Sequence, residues 1–274
     1  MSIAGEWIRY DEVAETYDRL MIAEGQALYG RLASDLVTFV GLRRGDVVLD
    51  VGTGSGAAGR VARDKVRPTG AVVGVDLSLP MLRVAKRRGL AGVIAGRVPG
   101  LPFREERFDA ALASLVLSHF ECYEMALADV VRILKPGGRL GVTAWAASQA
   151  DHRQVWRGIA ESFVGADALR SAVEQVARWE ERFLDPSRVV EALTRAGLVK
   201  VCVEQRTYDE TVTTAESLAR HEIFTCGRYV RHALGAREWE RFRDTLCAAT
   251  ERQFGSRLHS IGRAHVARAE KPTR

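Results

Sequence analysis

The residues best able to do chemistry in this chain are a carboxylate and three alternating glycines, in the run Val47-Val48-Leu49-Asp50-Val51-Gly52-Thr53-Gly54-Ser55-Gly56. The apolar run reads as a buried strand that ends on Asp50. Glycines after it allow positive φ and let a ligand press against bare backbone. The next segment, Ala57 to Lys65, reads as a helix whose opening N–H groups offer a seat for an anionic ligand group. A second apolar run, Ala71-Val72-Val73-Gly74-Val75-Asp76, also ends on an acid, 26 positions (76 − 50) beyond Asp50. That interval is one strand–helix–strand unit.

Two ligand chemistries compete for such a bend. Gly52, Gly54 and Ala57 satisfy the dinucleotide pattern G-x-G-x-x-G/A, with Asp76 as the ribose acid. Asp50 opposes that reading, because a carboxylate close to a pyrophosphate is repelled in a poorly hydrated cleft. S-adenosylmethionine presents an ammonium and a sulfonium instead, and a carboxylate at the strand end suits both. Asp76 can accept two hydrogen bonds from a ribose diol; alternatively it caps the helix that starts near Ser78, which is itself the better cap. Leu77 and Met81 are placed to flank an adenine ring, or to serve as core.

These residues need a parallel sheet to hold them. Apolar runs at 47–51, 71–76, 91–95, 108–113, 139–145, 198–205 and 260–269 alternate with helical stretches, which predicts crossover helices and parallel pairing. Pro136-Gly137-Gly138 predicts a turn that ends the helix Glu124 to Leu134 before the fifth strand. Pro186 opens a helix that runs to Ala196 and stops at Gly197. The expected fold is a Rossmann-like, doubly wound, mostly parallel sheet of seven strands.

In order and spacing, Val48 to Gly56, Val73 to Met81, Leu101-Pro102-Phe103, Arg107-Phe108-Asp109 and Ile133 to Leu140 resemble the class I S-adenosylmethionine-dependent methyltransferases. The closer resemblance is to the methyltransferase-11 branch, which includes ubiquinone and menaquinone methyltransferases and many tailoring enzymes for small metabolites. It covers Tyr10 to about Trp145. It implies that Asp50, Gly52, Thr53 and Gly54 hold the methionine moiety, Asp76 the ribose, and Ser114 the ammonium through its backbone. One position departs: members often carry an Asp shortly before Leu-Pro-Phe to accept from the adenine amino group, and Arg97 stands there. Arginine has donors only, so the backbone of Arg97 or Val98 is expected to serve, or Arg97 to reach toward the methyl acceptor. The segment Tyr10 to Asp18 resembles the family's opening helix, a lid (within 1–30) over the cofactor, with Tyr10 or Tyr17 closing the site.

Two stretches interrupt the alternation, 147–184 and 214–255, each with aromatic residues at helical spacing. They are expected to form helical caps over the acceptor pocket of a single domain spanning 1–274, because ligands of open α/β sheets bind at the carboxyl ends of the strands. Their aromatic content predicts a small apolar or aromatic acceptor; the plainer reading is that Trp156, Phe163, Phe224 and Trp239 dock the helices onto the sheet. A general base, if the acceptor needs one, is expected at His119, just past the fourth strand, since imidazole suits proton transfer near neutral pH. His119 can equally be a structural partner. His152, His221 and His232 fall in the cap stretches.

The composition is that of a soluble globular protein, 47% apolar and 27% charged. The start Met1 to Trp7 lacks the basic and apolar regions of a secretion signal, and no apolar run reaches the roughly 20 residues of a membrane span. Four widely spaced cysteines without a C-x-x-C pair predict neither metal nor disulfide, and a cytoplasmic setting. The net charge of +5 arises in 214–274, with 12 Lys/Arg against 7 Asp/Glu. A basic face can attract nucleic acid, but these cations are scattered among acids, which predicts a solvated face. With the family blocks and the apolar insertions, a small-molecule acceptor from secondary or quinone-like metabolism is expected; the alternatives are an RNA or protein acceptor, or a cofactor-binding protein of this fold that transfers no methyl. Homodimers are common in the family, though no apolar stripe in the sequence marks an interface.

Overall fold

The computed structural model describes residues 10–21, 28–147 and 151–273. The expectations placed on Met1 to Trp7, and part of the lid segment, lie outside the described residues. Seven strands form one sheet: β1 (Val47–Val51), β2 (Ala71–Asp76), β3 (Gly92–Ala95), β4 (Phe108–Ser114), β5 (Leu134–Trp145), β6 (Val199–Thr213) and β7 (Arg257–Glu270), in the order β3-β2-β1-β4-β5-β7-β6. β3, β2, β1, β4 and β5 run parallel, and β7 is antiparallel to both β5 and β6. The strands on the parallel side are apolar on both faces, as strands covered by helices must be.

Before β1 lie α1 (Ala14–Met21) and α2 (Leu28–Val40). The crossovers are α3 (Ala57–Val66), α4 (Leu79–Arg87) and α5 (Tyr123–Ile133). Three helices follow β5: α6 (Asp151–Val164), α7 (Ala166–Val176) and the short α8 (Glu180–Phe183). Then α9 (Pro186–Arg195) leads into β6, and α10 (Thr214–Ile223), α11 (Thr225–Ala233) and α12 (Ala236–Phe254) separate β6 from β7. The sheet is sandwiched between two apolar clusters, one around Leu36, Val48 and Leu112 and the other around Leu49, Phe108 and Ile133.

The expected strands are present, with three corrections. Pro136 to Gly138 do not separate the helix from the fifth strand: β5 begins at Leu134, pairs with Phe108, and shifts register before Arg139 takes up Ala110. Gly137 and Gly138 are held there by backbone bonds to Lys271, which donates to Gly138 and accepts from Gly137. β6 extends to Thr213, eight residues (213 − 205) past the expected end, because β7 pairs with it along its whole length. The opening helix starts only at Ala14, and Tyr10 to Val13 form a turn ahead of it.

Trp156, Ala160, Leu169, Val230, Phe242 and Leu246 form a third cluster, built wholly from the helices of the two insertions. Phe163 and Trp239 pack against it, with Trp239 stacked on Phe242 at 5.4 Å. Three of the four marked aromatics therefore build a core between the insertions rather than dock on the sheet. Phe242 is nearly inaccessible (1%) and touches Trp156, Phe163 and Trp239. Phe242→Ala is expected to cost about 3–5 kcal/mol in urea unfolding, as for other buried Phe truncations. A loss under about 1 kcal/mol would mean that the ring is not a centre of that core.

Candidate active site

β1 and β2 end side by side, with Asp50 opposite Gly74 and Val51 opposite Val75. Asp50 is buried, and its Oδ2 accepts from the Thr53 hydroxyl at 2.6 Å. It also accepts from the Gly59 backbone on α3. The carboxylate thus ties the glycine bend to the first turn of the helix. Burial raises its pKa to about 7, against the pull of the Thr53 and Gly59 hydrogen bonds. Asp76 accepts from Gly54 N–H at 2.8 Å and from Ser78 N–H at 2.9 Å, and burial raises its pKa too. It therefore clamps the bend from the second strand. The Ser78 side chain caps α4 by accepting from Met81 N–H at 3.3 Å.

Two glycines of the bend meet different needs. Gly52 has φ +64°, and a Cβ there would lie 2.3 Å from the Val116 side chain, so the loop after β4 packs on its bare Cα. Gly54 has φ +53° and faces open space, with nothing within 4 Å of where a Cβ would be. Beside Asp76, Leu77 is 68% exposed, an apolar side chain standing in water. Met81 is instead buried with Ala14 and Val84 under Tyr10 and Tyr17. Arg97 is exposed just past β3, and Val98 packs against the core.

β4 ends at Ser114, whose hydroxyl is 3.2 Å from the Thr143 hydroxyl on β5. The next residue, Leu115, adopts φ +54° and donates its N–H toward Thr143. A non-glycine residue in the left-handed region is held there by its surroundings, and such strain clusters at functional sites. Nothing in the sequence marked Thr143 or Leu115. His119 lies in a 3-10 turn over Leu117–His119; its Nδ1 is 3.0 Å from the Val176 carbonyl oxygen, which can only accept. Nδ1 therefore carries the proton, and Nε2 keeps a lone pair. Solvent reaches the ring, but the surrounding protein holds its pKa below the ordinary histidine value.

The opening segment lies across α4. Asp18 pairs with Arg88 at 2.5 Å, Glu15 with Arg87, and the Ser78 hydroxyl donates to Asp11 at 2.6 Å. Tyr10 meets Tyr17 edge to face at 5.7 Å and His119 at 6.3 Å. Edge-to-face contacts continue from Tyr17 to Tyr29 at 5.9 Å and from Tyr29 to Trp145 at 5.8 Å. Burial pushes the Tyr17 phenol well above its ordinary pKa, so the ring stays neutral. Arg228 of α11, buried, stacks on Tyr10 at 4.0 Å. Tyr29, Trp145 and Arg228 escaped the sequence reading, because the two insertions and the opening segment meet only in the folded chain.

A narrow cleft opens between sheet and insertions, with Tyr29, Trp145, His152, Arg153, His221 and Phe224 among its walls. The fourth marked aromatic, Phe224, thus lines a cleft. His232 is not among the residues lining it.

Asp50 gives a pH test independent of any ligand. A carboxyl whose pKa is higher folded than unfolded destabilises the fold once ionised. The penalty is absent below about pH 4, grows as pH rises, and is complete above about pH 7. Asp50→Asn cannot ionise. In the ligand-free protein, wild type is expected to lose on the order of 2–4 kcal/mol relative to Asp50→Asn between pH 5 and pH 8 in urea unfolding. Parallel pH curves for the two proteins would refute a high-pKa Asp50.

Residues 49–142 match the family model of a methyltransferase domain. The nocamycin O-methyltransferase of Saccharothrix syringae is 32% identical over 226 residues, 76% of this chain and 78% of that protein. A demethylmenaquinone methyltransferase of Symbiobacterium thermophilum is 31% identical over 47% of this chain, and a tRNA (carboxymethyluridine(34)-5-O)-methyltransferase of Arabidopsis thaliana is 32% identical over 52%. The chain spans 55% and 33% of the length of these two. Among solved structures, Haemonchus contortus phosphoethanolamine N-methyltransferase 2, in complex with phosphomonomethylethanolamine and S-adenosylhomocysteine, superimposes with a TM-score of 0.61 at 17% identity, covering 99% of this chain and 61% of that one. Two carboxylates around a bare glycine bend, with an exposed leucine beside the second, fit S-adenosylmethionine, which carries cationic groups and a ribose diol and puts no phosphate beside Asp50. The chain belongs to the class I S-adenosylmethionine-dependent methyltransferases.

Proposed function

We propose that the enzyme methylates a small, apolar or aromatic acceptor held in the cleft between sheet and cap. The observation that carries this reading is the aromatic wall of Tyr29, Trp145 and Phe224, with Trp145 at the end of β5, two residues past Thr143, which pairs with Ser114 at the end of β4. It is supported by the likeness to nocamycin O-methyltransferase, which covers 76% of this chain, where the tRNA methyltransferase covers 52%. In this reading 147–184 and 214–255 are the cap and the opening segment is the lid.

The chain's own residues share the work of binding as follows. Asp50, Gly52, Thr53 and Gly54 seat the methionine portion, with Ser114 backbone toward its ammonium. Asp76 takes the ribose hydroxyls on the lone pairs left by Gly54 and Ser78. Leu77 covers one face of the adenine, the Arg97–Val98 backbone meets its edge, and Met81 supports the lid from below. Tyr17 closes over the bend and excludes water. Bound S-adenosylmethionine supplies an electrophilic methyl on a sulfonium, so the protein's task is alignment and exclusion of solvent. His119, beside Tyr10 with Nε2 unprotonated, is one candidate to accept an acceptor proton.

RNA is the less favoured acceptor. Several arginines of the basic C-terminal stretch are consumed locally: Arg220 by Glu210 and Glu216, Arg241 by Glu238, Arg243 by Glu222. Among the described residues no helix is long and apolar enough to cross a membrane.

Purified protein incubated with methyl-labelled S-adenosylmethionine and either a small-molecule extract or total RNA is expected to label a low-mass product. Label in RNA alone would replace the small-molecule reading. Asp76→Ala is expected to weaken cofactor binding by about 10- to 100-fold in calorimetry, the loss of a charge-assisted bidentate contact. Unchanged affinity would remove Asp76 from the ribose site.

A further inference from the structure

Thr143 is wholly buried on β5, and its hydroxyl serves the residues at the end of β4 twice. Its Oγ1 accepts from Leu115 N–H at 3.0 Å and lies 3.2 Å from the Ser114 hydroxyl. The same N–H reaches the Thr143 carbonyl oxygen at 3.1 Å. One side-chain oxygen therefore grips both ends of the Ser114–Leu115 peptide unit. Thr143 is β-branched and enclosed, which leaves it little rotamer freedom to let go. Directly after this grip the chain turns left-handed at Leu115, with φ +54°. A leucine keeps that conformation where its surroundings impose it, and the shared N–H is one such constraint.

The grip decides where the Ser114 carbonyl points. Among the described residues the cis bonds are those before Pro68 and Pro99. The Ser114–Leu115 peptide is therefore trans, and its C=O points opposite to the Leu115 N–H. That N–H faces β5, and β4 lies between β5 and β1. The carbonyl thus faces the β1 side. There the ladder ends with Asp50 opposite Leu112, so the chain level with Ser114 is already the glycine bend, where Val116 covers Gly52. Among the described residues no backbone N–H outside the strand ladders donates to this oxygen.

Resting on the reading above that the Ser114 backbone meets the cofactor ammonium, we infer that Thr143 is the positioning residue for that contact. Its hydroxyl locks the 114–115 peptide so that the Ser114 carbonyl is aimed over the bend before the ligand arrives. An acceptor fixed in advance needs little ordering on binding, and a charged donor gains more from good alignment than a neutral one. Valine at this position keeps the shape and the backbone bond from Leu115 but lacks the oxygen. The peptide can then rock about its remaining ladder bond, and the carbonyl loses its aim.

The test measures binding to the full chain by calorimetry, with S-adenosylhomocysteine and with its deamino analogue, in which hydrogen replaces the α-amino group. Thr143→Val is expected to bind S-adenosylhomocysteine about 10-fold more weakly and the deamino analogue within about 2-fold of wild type. Thr143→Ser keeps the oxygen and is expected to recover most of the loss. Ser114→Ala keeps the carbonyl but frees one end of the grip; it is expected to lose about 3-fold, again only for the ligand with the amino group. Should Thr143→Val not fold, Ser114→Ala decides by the same comparison. A merely structural role would weaken both ligands alike, and that result would overturn the assignment. So would an unchanged affinity in Thr143→Val, or no recovery in Thr143→Ser. If wild type favours S-adenosylhomocysteine over the analogue and Thr143→Val keeps that preference in full, only this inference fails. If wild type binds the two equally, the ammonium contact at Ser114 fails with it, and if it binds neither, so does the placement of the cofactor.

Discussion

The glycine bend after β1 hangs on two buried or half-buried carboxylates that hold it without side-chain bulk. Asp50 grips Thr53 and the start of α3, while Asp76 grips Gly54 and the start of α4. Because adjacent parallel strands end in register, the acids approach the same loop from two sides. Each is raised in pKa by burial, and each raised pKa is a measure of how strongly a cation or a donor would be welcomed there. A phosphate would meet two acids at the loop; an ammonium, a sulfonium and a diol meet what they need.

The opening segment and the two insertions are fastened to the rest of the chain by different forces. The opening helix is held by ion pairs to α4, the helix that follows Asp76, so the glycine bend and the opening segment share a support. Its tyrosines then pass edge to face from Tyr10 through Tyr17 and Tyr29 to Trp145. The two insertions, distant in sequence, share a separate apolar core. One cationic side chain, Arg228, bridges the two by stacking on Tyr10. A core of their own lets the insertions present polar groups such as His152 and His221 to the cleft, since their packing does not depend on the cleft being filled with apolar side chains.

The strained Leu115 marks where these parts converge. Its positive φ turns the chain sharply after β4, so that Val116 covers Gly52 while Ser114 and Thr143 remain at the strand ends. A glycine at position 52 and a left-handed residue at 115 are thus two halves of one packing solution. A side chain at the first would collide with the loop that the second creates.

The sequence by itself determined the parallel sheet, the glycine bend, both carboxylates and the family, because each rests on local patterns. Runs of β-branched residues, an acid at the strand end and glycines at fixed offsets act within a few residues of one another. It also marked the two insertions as helical and aromatic. Only the tertiary structure decided which aromatics became core and which became wall: Trp156, Phe163 and Trp239 turned toward each other, whereas Phe224, on a similar pattern, turned to the cleft. Periodicity gives a helix its apolar face but not the surface that face will meet. For the same reason Tyr29, Trp145, Arg228 and the His152–His221 pair could not be read in advance. They come from segments separated by scores of residues, and what brings them together is the closure of long-range contacts between opening segment, sheet and insertions, which no local pattern encodes.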